Sequence, residues 1–252
     1  MTKEWSVRRF QPDDLERIAE FRQAFPERLP VKCWDVEYHR WKCCNNPIQQ
    51  GYIWLAEDGD RIVSTASMTP KSMKLWGRIE LVAETGDTYT LPEYQGRGIF
   101  TALVKKTTAE AIKSGINFIY GLPNQNSLPG YIRKLDYQVI PSTRLYSLVR
   151  PLNMKRMLKA KSNSSLLAAV FSPVLEIGSR LIFRLAGISK SNFSVSQVSS
   201  FPDDIESLWE RVSEKYDVIL VRNREYLRWR YQEAPDSYII LIARSPQGEI
   251  LG

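Results

Sequence analysis

Apolar residues recur along the chain with a period of two in some stretches and near 3.6 in others, which predicts a mixture of strands and helices. Trp5–Phe10 alternates as a strand. Asp13–Ala24 and Asp35–Cys44 carry helical spacing, the first opened by the start signal Pro12-Asp13-Asp14. Tyr52–Glu57 and Arg61–Met68 read as strands joined by a turn at Asp58-Gly59-Asp60. Strands near Lys71–Trp76 and Ile79–Leu91, a helix Gly98–Ser114, a strand Asn117–Tyr120, a short helix Leu128–Leu135 and a strand Arg144–Val149 follow. Strands and helices mixed in this order predict an α/β sheet domain over residues 1–150.

Part of the pattern recurs. Pro12-Asp13-Asp14-Leu15-Glu16 returns as Pro202-Asp203-Asp204-Ile205-Glu206, and Glu37-Tyr38-His39-Arg40-Trp41-Lys42 returns as Glu225-Tyr226-Leu227-Arg228-Trp229-Arg230. Pro47 and Pro235 follow at the same offset of 188, and Asp60–Ser64 lies opposite Gly248–Gly252. Two blocks in register over about 60 residues argue for an internal repeat rather than chance. Residues 191–252 are therefore expected to begin a second unit, which stops at Gly252 inside its first hairpin as if cut short. His39 is replaced by Leu227 in the second block, so it reads as structural.

A chain of 252 residues, 43% hydrophobic and 25% charged, can bury one large core or two modest ones, which excludes a disordered tail and a disulfide-stapled miniprotein. The net charge of +7 is concentrated in residues 150–190, where eight Lys and Arg face the single acid Glu176. These residues predict a basic helical linker over 151–190. Its part 151–187 could rest on an anionic membrane surface or pack as a solvated connector. Glu176, Arg180 and Arg184 interrupt its most apolar stretch, Leu166–Leu185, so no transmembrane helix is expected. The opening MTKEWSVRRF has no apolar core and predicts no signal peptide. Three cysteines (Cys33, Cys43, Cys44) and one histidine are too few for a zinc site and fit reduced thiols in a cytoplasmic protein; no metal is expected.

The segment with most chemistry in it is Thr88-Tyr89-Thr90-Leu91-Pro92-Glu93-Tyr94-Gln95-Gly96-Arg97-Gly98-Ile99-Phe100, a strand running into a helix. Two glycines at a helix mouth let backbone N–H groups converge where the helix dipole favours negative charge, which suits phosphate. Arg97 could add charge. The absence of Gly-Lys-Ser/Thr excludes a P-loop, and a dinucleotide fingerprint lacks its third glycine. An ordinary tight turn is the alternative reading of the glycines alone.

This segment resembles the pyrophosphate-binding pattern of the GNAT superfamily of N-acyltransferases, Gln or Arg, two residues, Gly, one residue, then Gly or Ala. Gln95 and Gly98 fill the first two places, and Phe100 departs at the third. The resemblance continues in Tyr120–Ser127 and in Lys134-Leu135-Asp136-Tyr137. It implies a GNAT-type α/β fold, a mixed, mostly antiparallel sheet flanked by helices. It further implies direct transfer of an acetyl group from acetyl-CoA to a primary amine on a small molecule or protein. Thr88, Tyr89, Thr90, Gln95, Gly96, Arg97, Gly98, Ile99, Phe100 and Asn124 would then hold the cofactor. Glu84 or Asp87 would serve as base, and Tyr131, seven residues after Asn124, as proton donor to the thiolate. Counting back from Lys134-Leu135-Asp136-Tyr137 places Ile132 there instead. Trp34 and Tyr38 are the acceptor-side candidates. A Fem-type aminoacyl transferase using charged tRNA and a non-catalytic acyl-CoA-binding scaffold are the rival readings; no DNA partner is expected.

Overall fold

The computed structural model describes residues 5–25, 35–140 and 192–252, with isolated positions between 158 and 178. The expected strand Arg144–Val149, Trp34, Cys33 and nearly all of the basic linker lie outside the described residues. The chain divides into two compact units, Met1–Val139 with Val195–Gly252, and Ile140–Ser194. The first contains the elements described below, all but Ser194 at the start of β6.

In chain order these are β1 Ser6–Arg9, α1 Leu15–Gln23, α2 Val36–His39, β2 Tyr52–Asp58, β3 Arg61–Leu75, β4 Arg78–Thr90, α3 Ile99–Lys113, β5 Phe118–Gly121 and α4 Leu128–Leu135. After them come β6 Ser194–Val198, α5 Ile205–Ser213, β7 Val218–Leu220, α6 Arg224–Tyr231 and β8 Ile240–Arg244. Strands β1 to β5 lie side by side in sequence order, antiparallel except for the parallel pair β4–β5. This is the mixed, mostly antiparallel sheet that the family resemblance implies. Strands β6 and β8 form a separate two-stranded sheet, with Phe201, Ile205, Ile242 and Ile250 buried against it as a small second core.

Two expectations are corrected. The helix expected over Asp35–Cys44 is one α-helical turn, α2, capped by the Asp35 side chain accepting from the Tyr38 N–H, followed by a wider π turn over Arg40–Cys44. The strands expected separately over Arg61–Met68 and Lys71–Trp76 are one continuous strand. Proline at position 70 suggests a break because it cannot donate to a ladder. On the open side of β3, however, the β2 ladder ends at Met68 and that of β7 begins at Met73. Pro70 falls in the gap, where the missing N–H leaves no ladder bond unmade, and its carbonyl accepts from Asn46 Nδ2 at 3.0 Å.

The register assigns each side chain to a face. Ser67, Thr69 and Lys71 share one face with Glu84 and Tyr120, and α1, α2 and the π turn cover the part of this face around Ser67. Thr85, Trp54 and Met68 point to the other face, covered by α3 and α4; Trp54 Nε1 donates to Glu110 on α3 at 2.7 Å. Leu55, Val63, Met68, Leu103 and Val104 close the main core completely.

Strand β4 does not run straight. Its ladder to β3 slips between Thr65 and Ser67, and at that bulge Asp87 adopts φ 47°, a left-handed backbone that a residue with a Cβ seldom takes. Side chains from other elements fix the distortion. The Asp87 carboxylate accepts from Lys42 Nζ of the π turn at 2.5 Å, and its carbonyl accepts from Thr65 Oγ1 at 3.1 Å and from Arg22 Nη2 of α1 at 3.2 Å. Burial would raise the Asp87 carboxyl, but Lys42 and Arg22 outweigh it and hold it at about 2. Breaking such a buried pair from one side costs about 3–5 kcal/mol, because the other charge is left without compensation.

Helix α6 and the π turn meet through two tryptophans 188 positions apart. The Trp41 and Trp229 rings stack at 4.8 Å and 23°. Each indole N–H donates to the other residue's carbonyl, Trp41 Nε1 at 2.8 Å and Trp229 Nε1 at 3.4 Å. Both residues are buried. The matched sequence blocks therefore touch each other through equivalent residues in a reciprocal contact.

Two predictions follow from this packing. Trp229→Ala, which opens a cavity and leaves the buried Trp41 carbonyl without its indole donor, should destabilise the chain by about 3–5 kcal/mol. Trp41→Ala should cost about the same, and the double variant clearly less than the sum, read by denaturant titration; strict additivity would contradict the reciprocal contact. The second concerns acid. Burial pushes the His39 imidazole down to about 4 from an ordinary 6.5, with Arg22 adding to the effect. Between those values the unfolded chain binds a proton that the folded chain does not, so stability should fall by up to about 3 kcal/mol as pH drops from 6.5 towards 4. His39→Leu, the residue at the matching position 227, should abolish that segment of the pH profile in equilibrium melts.

Candidate acyltransfer site

The site begins where β5 ends. Strand β5 pairs with β4 only over Val82–Thr85, opposite Phe118–Gly121, whereas β4 continues to Thr90. Two residues terminate β5. A Cβ on Gly121 would stand 2.6 Å from Thr85 Cγ2, so only glycine fits there, and Pro123 just beyond has no N–H to continue a ladder. The β4 edge from Gly86 to Thr90 is thus left open on the β5 side. On the inner side the carbonyl of Gly86 accepts from Ser67 Oγ at 3.2 Å and that of Tyr89 from Ser64 Oγ at 2.7 Å. With the Asp87 carbonyl also taken, the bulge is tied to β3 and the outer edge of Thr88 to Thr90 faces a wedge between two parting strands.

At the end of β4 the chain turns into α3 through Gly96 and Gly98, with φ of 77° and 81°. Gly98 is the N-cap residue in left-handed backbone, and an added Cβ at either glycine would stand in open space. Dihedral angle, rather than crowding, demands glycine here. The turn is braced from below. Gln95 Nε2 donates to the Thr90 carbonyl at 3.1 Å, and Arg97 Nη2 to the Glu93 carbonyl at 2.7 Å, its guanidinium over the Tyr94 ring at 5.0 Å. Tyr94, fully buried, donates in turn to Asp58 Oδ2 at 2.5 Å. The Arg97 side chain is thus engaged in holding the loop, and anion binding falls to the backbone. The N–H groups of Ile99, Phe100 and Thr101 are among the first four of α3, which have no intrahelical acceptor. They open, with the positive end of the helix dipole, at the turn that follows β4, an arrangement that fits a pyrophosphate.

Phe100 turns its ring away from this cradle. It packs edge-on against Tyr131 at 5.2 Å and approaches Gly130 so closely that a Cβ there would meet its ring at 2.8 Å. The aromatic at the departing third position is accommodated by a glycine on α4, a pairing that sequence spacing does not signal.

Glu84 and Thr85 are successive residues of β4 and so face opposite sides of the sheet. Thr85 Oγ1 lies 3.1 Å from the hydroxyl of Tyr131 on α4. Tyr131 is 6% exposed and Ile132 41%, so of the two positions that the sequence counts left open Tyr131 is the one turned towards the strands. On the opposite face Glu84 forms an ion pair with Lys71, and the Tyr120 hydroxyl stands 3.5 Å from its Oε2. Burial, then Glu84, raises the Tyr120 phenol. Lys71 and Thr85 were not singled out in the sequence, since only the strand register and the packing of α4 bring them to Glu84 and Tyr131.

The remaining candidates separate. Asp87 is closed off in its pair with Lys42. Tyr89 lies under the Arg22 guanidinium at 3.8 Å. Thr90 Oγ1 is 2.8 Å from Ser64 Oγ and Thr88 Oγ1 donates to the Gly86 carbonyl, so both side chains serve the bulge. Asn124 Oδ1 accepts from the N–H groups of Asn126 and Ser127, both at 3.0 Å, and is occupied in starting α4. Tyr38 lies on the covered face near Lys42, 5.5 Å from Trp41. Among the described residues no cluster of His, Cys, Asp or Glu could hold a metal ion, and no helix is long and apolar enough to cross a membrane.

Known proteins place this geometry. The family described as "Acetyltransferase (GNAT) domain" matches residues 6–140, which holds β1 to α4 and the whole wedge. Over 98% of its length the chain superposes on a probable N-acyltransferase from Enterococcus faecalis V583, with a TM-score of 0.60 and 14% identity; it spans 53% of that protein. Similar over part of the chain are a predicted acetyltransferase with acetyl-CoA from Clostridium acetobutylicum (20% identity, TM-score 0.48, 57% of this chain and 96% of that one) and a glucosamine-6-phosphate N-acetyltransferase from Arabidopsis thaliana (12%, 0.45, 59% and 99%). No curated protein matches the chain. Strand order, the open β4 edge and the matched family agree, and the chain belongs to the GNAT acetyltransferases.

Proposed function

We propose that the chain transfers an acetyl group from acetyl-CoA to a primary amine by direct attack, with Glu84 as base and Tyr131 as acid. The observation that carries this reading is the alternation of β4 at the wedge. Glu84 points to one face and Thr85, bonded to Tyr131, to the other, so a base and an acid flank the gap between the strands from opposite sides. Acetyl-CoA, when bound, supplies the activated thioester. The N–H groups at the start of α3 hold its pyrophosphate, and the outer edge of Thr88–Thr90 holds its arm in the wedge.

An amine arrives as an ammonium and must lose a proton before it attacks. Glu84 takes that proton. Lys71 and Tyr120 fix the carboxylate in place, and it is only partly exposed, so the amine reaches it from the open side of the sheet. The Tyr131 hydroxyl donates to the departing sulfur, held at its position by Thr85 and by the rings of Phe100 and Tyr137. Asp87 serves the site through the backbone: locked at about 2 by Lys42, it shapes the bulge and has little basicity to offer at neutral pH. The two segments that share sequence blocks are, in this reading, copies of one unit, with acyl transfer confined to the first.

Acetyl-CoA at a hundredfold excess over its dissociation constant should add about 2.7 kcal/mol, or about 5–10 °C in melting temperature. Gly98→Glu, which puts a carboxylate into the cradle and a side chain into left-handed backbone, should abolish that shift; an undiminished shift would refute the assignment of the cradle. Glu84→Gln should keep the shift while lowering thiol release across a panel of primary amines by about 10²–10⁴-fold near neutral pH. Equal activity would remove Glu84 from the mechanism.

A further inference from the structure

Helix α6 belongs to the second block of matched sequence, yet both its ends are fastened to the first. Its leading end follows β7, which pairs Val218–Leu220 with Met73–Leu75 of β3, and the Val221 N–H donates to the Ser72 carbonyl at 2.9 Å. Lys71, the partner of Glu84, is the next residue back along β3. The trailing end is held by Trp229 on Trp41, the neighbour of Lys42. Between these anchors α6 passes along the Glu84 face of the sheet. Tyr226, Trp229 and Arg230, at helical positions i, i+3 and i+4, share the side turned towards it.

Arg230 differs from the other arginines of this helix. Arg224 pairs with Asp203, and Arg228 with Glu233 at 2.6 Å. Arg230 has no carboxylate within salt-bridge distance among the described residues. Its guanidinium is half-buried among aromatic rings, 5.7 Å from Trp41, 5.1 Å from Tyr231 and 5.6 Å from Tyr238, and Nη1 donates to the Tyr238 hydroxyl at 2.9 Å. The rings fix the guanidinium plane without neutralising its charge. Tyr226 lies in the electrostatic field of both charged groups: burial raises its phenol, Arg230 pulls it down and Glu84 adds to the rise. The pairing of β7 with β3 next to Lys71 and the Trp229–Trp41 stack thus bring a guanidinium held by rings to the face of the sheet that carries Glu84.

We propose that Arg230 binds an anionic group of the acceptor, so that the acceptor is an amine that also carries a carboxylate or a phosphate, its nitrogen at Glu84 and its anion at Arg230. A planar guanidinium held by rings is suited to bidentate contact with either anion. The proposal rests on Glu84 being the base, and it makes α6 the part of the chain that selects the acceptor.

The test compares matched amines on the full 252-residue chain with saturating acetyl-CoA: β-alanine against β-alaninamide, phenylalanine against phenylalaninamide, and glucosamine 6-phosphate against glucosamine. In at least one pair kcat/KM for the anionic member should exceed that of its neutral partner by about tenfold or more. The amino-acid and sugar arms tell carboxylate from phosphate. Arg230→Gln should bring that ratio close to one, and Arg230→Lys should restore part of it. Equal use of both members, preference for the neutral one, or a ratio that survives Arg230→Gln would overturn the proposal. If Arg230→Gln does not melt cooperatively, the ratio in the parent chain still decides. Should no pair turn over, melting of the chain saturated with free coenzyme A is read instead: a shift by an anionic amine that its neutral partner lacks supports Arg230, and no shift by any anionic amine overturns it. The shift produced by acetyl-CoA alone reports on the underlying site, so loss of the transferase reading and loss of the Arg230 assignment are distinguishable.

Discussion

The salt bridge between Lys42 and Asp87 fixes the point at which one strand of the sheet departs from regular geometry, and the proposed acyltransfer site is built around that departure. An aspartate in left-handed backbone is costly by itself. Here it is held by an ammonium from the π turn, a guanidinium from α1 and a threonine hydroxyl from β3, all converging on one residue. The consequence is a β4 whose inner carbonyls are taken and whose outer edge faces a neighbour that Gly121 and Pro123 have already turned away. A regular sheet would have closed this edge with hydrogen bonds.

The remaining features depend on that edge. Gly96 and Gly98 bring the start of α3 to the wedge mouth, and Tyr94, donating to Asp58, ties the loop to the far end of β2. The period of two on β4 then sets a carboxylate and a phenol on opposite sides of the same gap without a loop having to carry either. Sites built on strands hold their geometry better than sites built on loops, and here the proposed base Glu84 is on, and the proposed acid Tyr131 is bonded to, adjacent residues of one strand.

The strands, the helices and the turn into α3 were legible in the sequence for a local reason. Strand and helix periods are written in consecutive residues, and Gln95–Phe100 compresses a turn and a helix start into six. The bulge was not, because Lys42 and Asp87 are 45 positions apart and neither is unusual on its own. Both Glu84 and Asp87 are acids near the end of a strand; only burial beside two cations distinguishes the second. The alternatives at Tyr131 and Ile132 differ by one helical step, and exposure separates them where counting could not. The single strand Arg61–Leu75 was expected as two, and its continuity through Pro70 depends on where β2 stops and β7 starts. Strand β7, three residues long, gave too little pattern to be seen, although it is what carries α6 to the Glu84 face. Trp41 and Trp229 stood out as matched residues, but that they would meet each other could not be read from spacing.

The central claim is that an acyl-CoA occupies the gap between β4 and β5 with its pyrophosphate at the start of α3. Amide hydrogen exchange of the whole chain, followed residue by residue with and without acetyl-CoA, addresses it most directly. The account predicts that protection rises at residues 86–90 and 96–101 and changes little along β1, β6 and β8. Protection that is absent from both segments, or that is concentrated elsewhere in the chain, would contradict it.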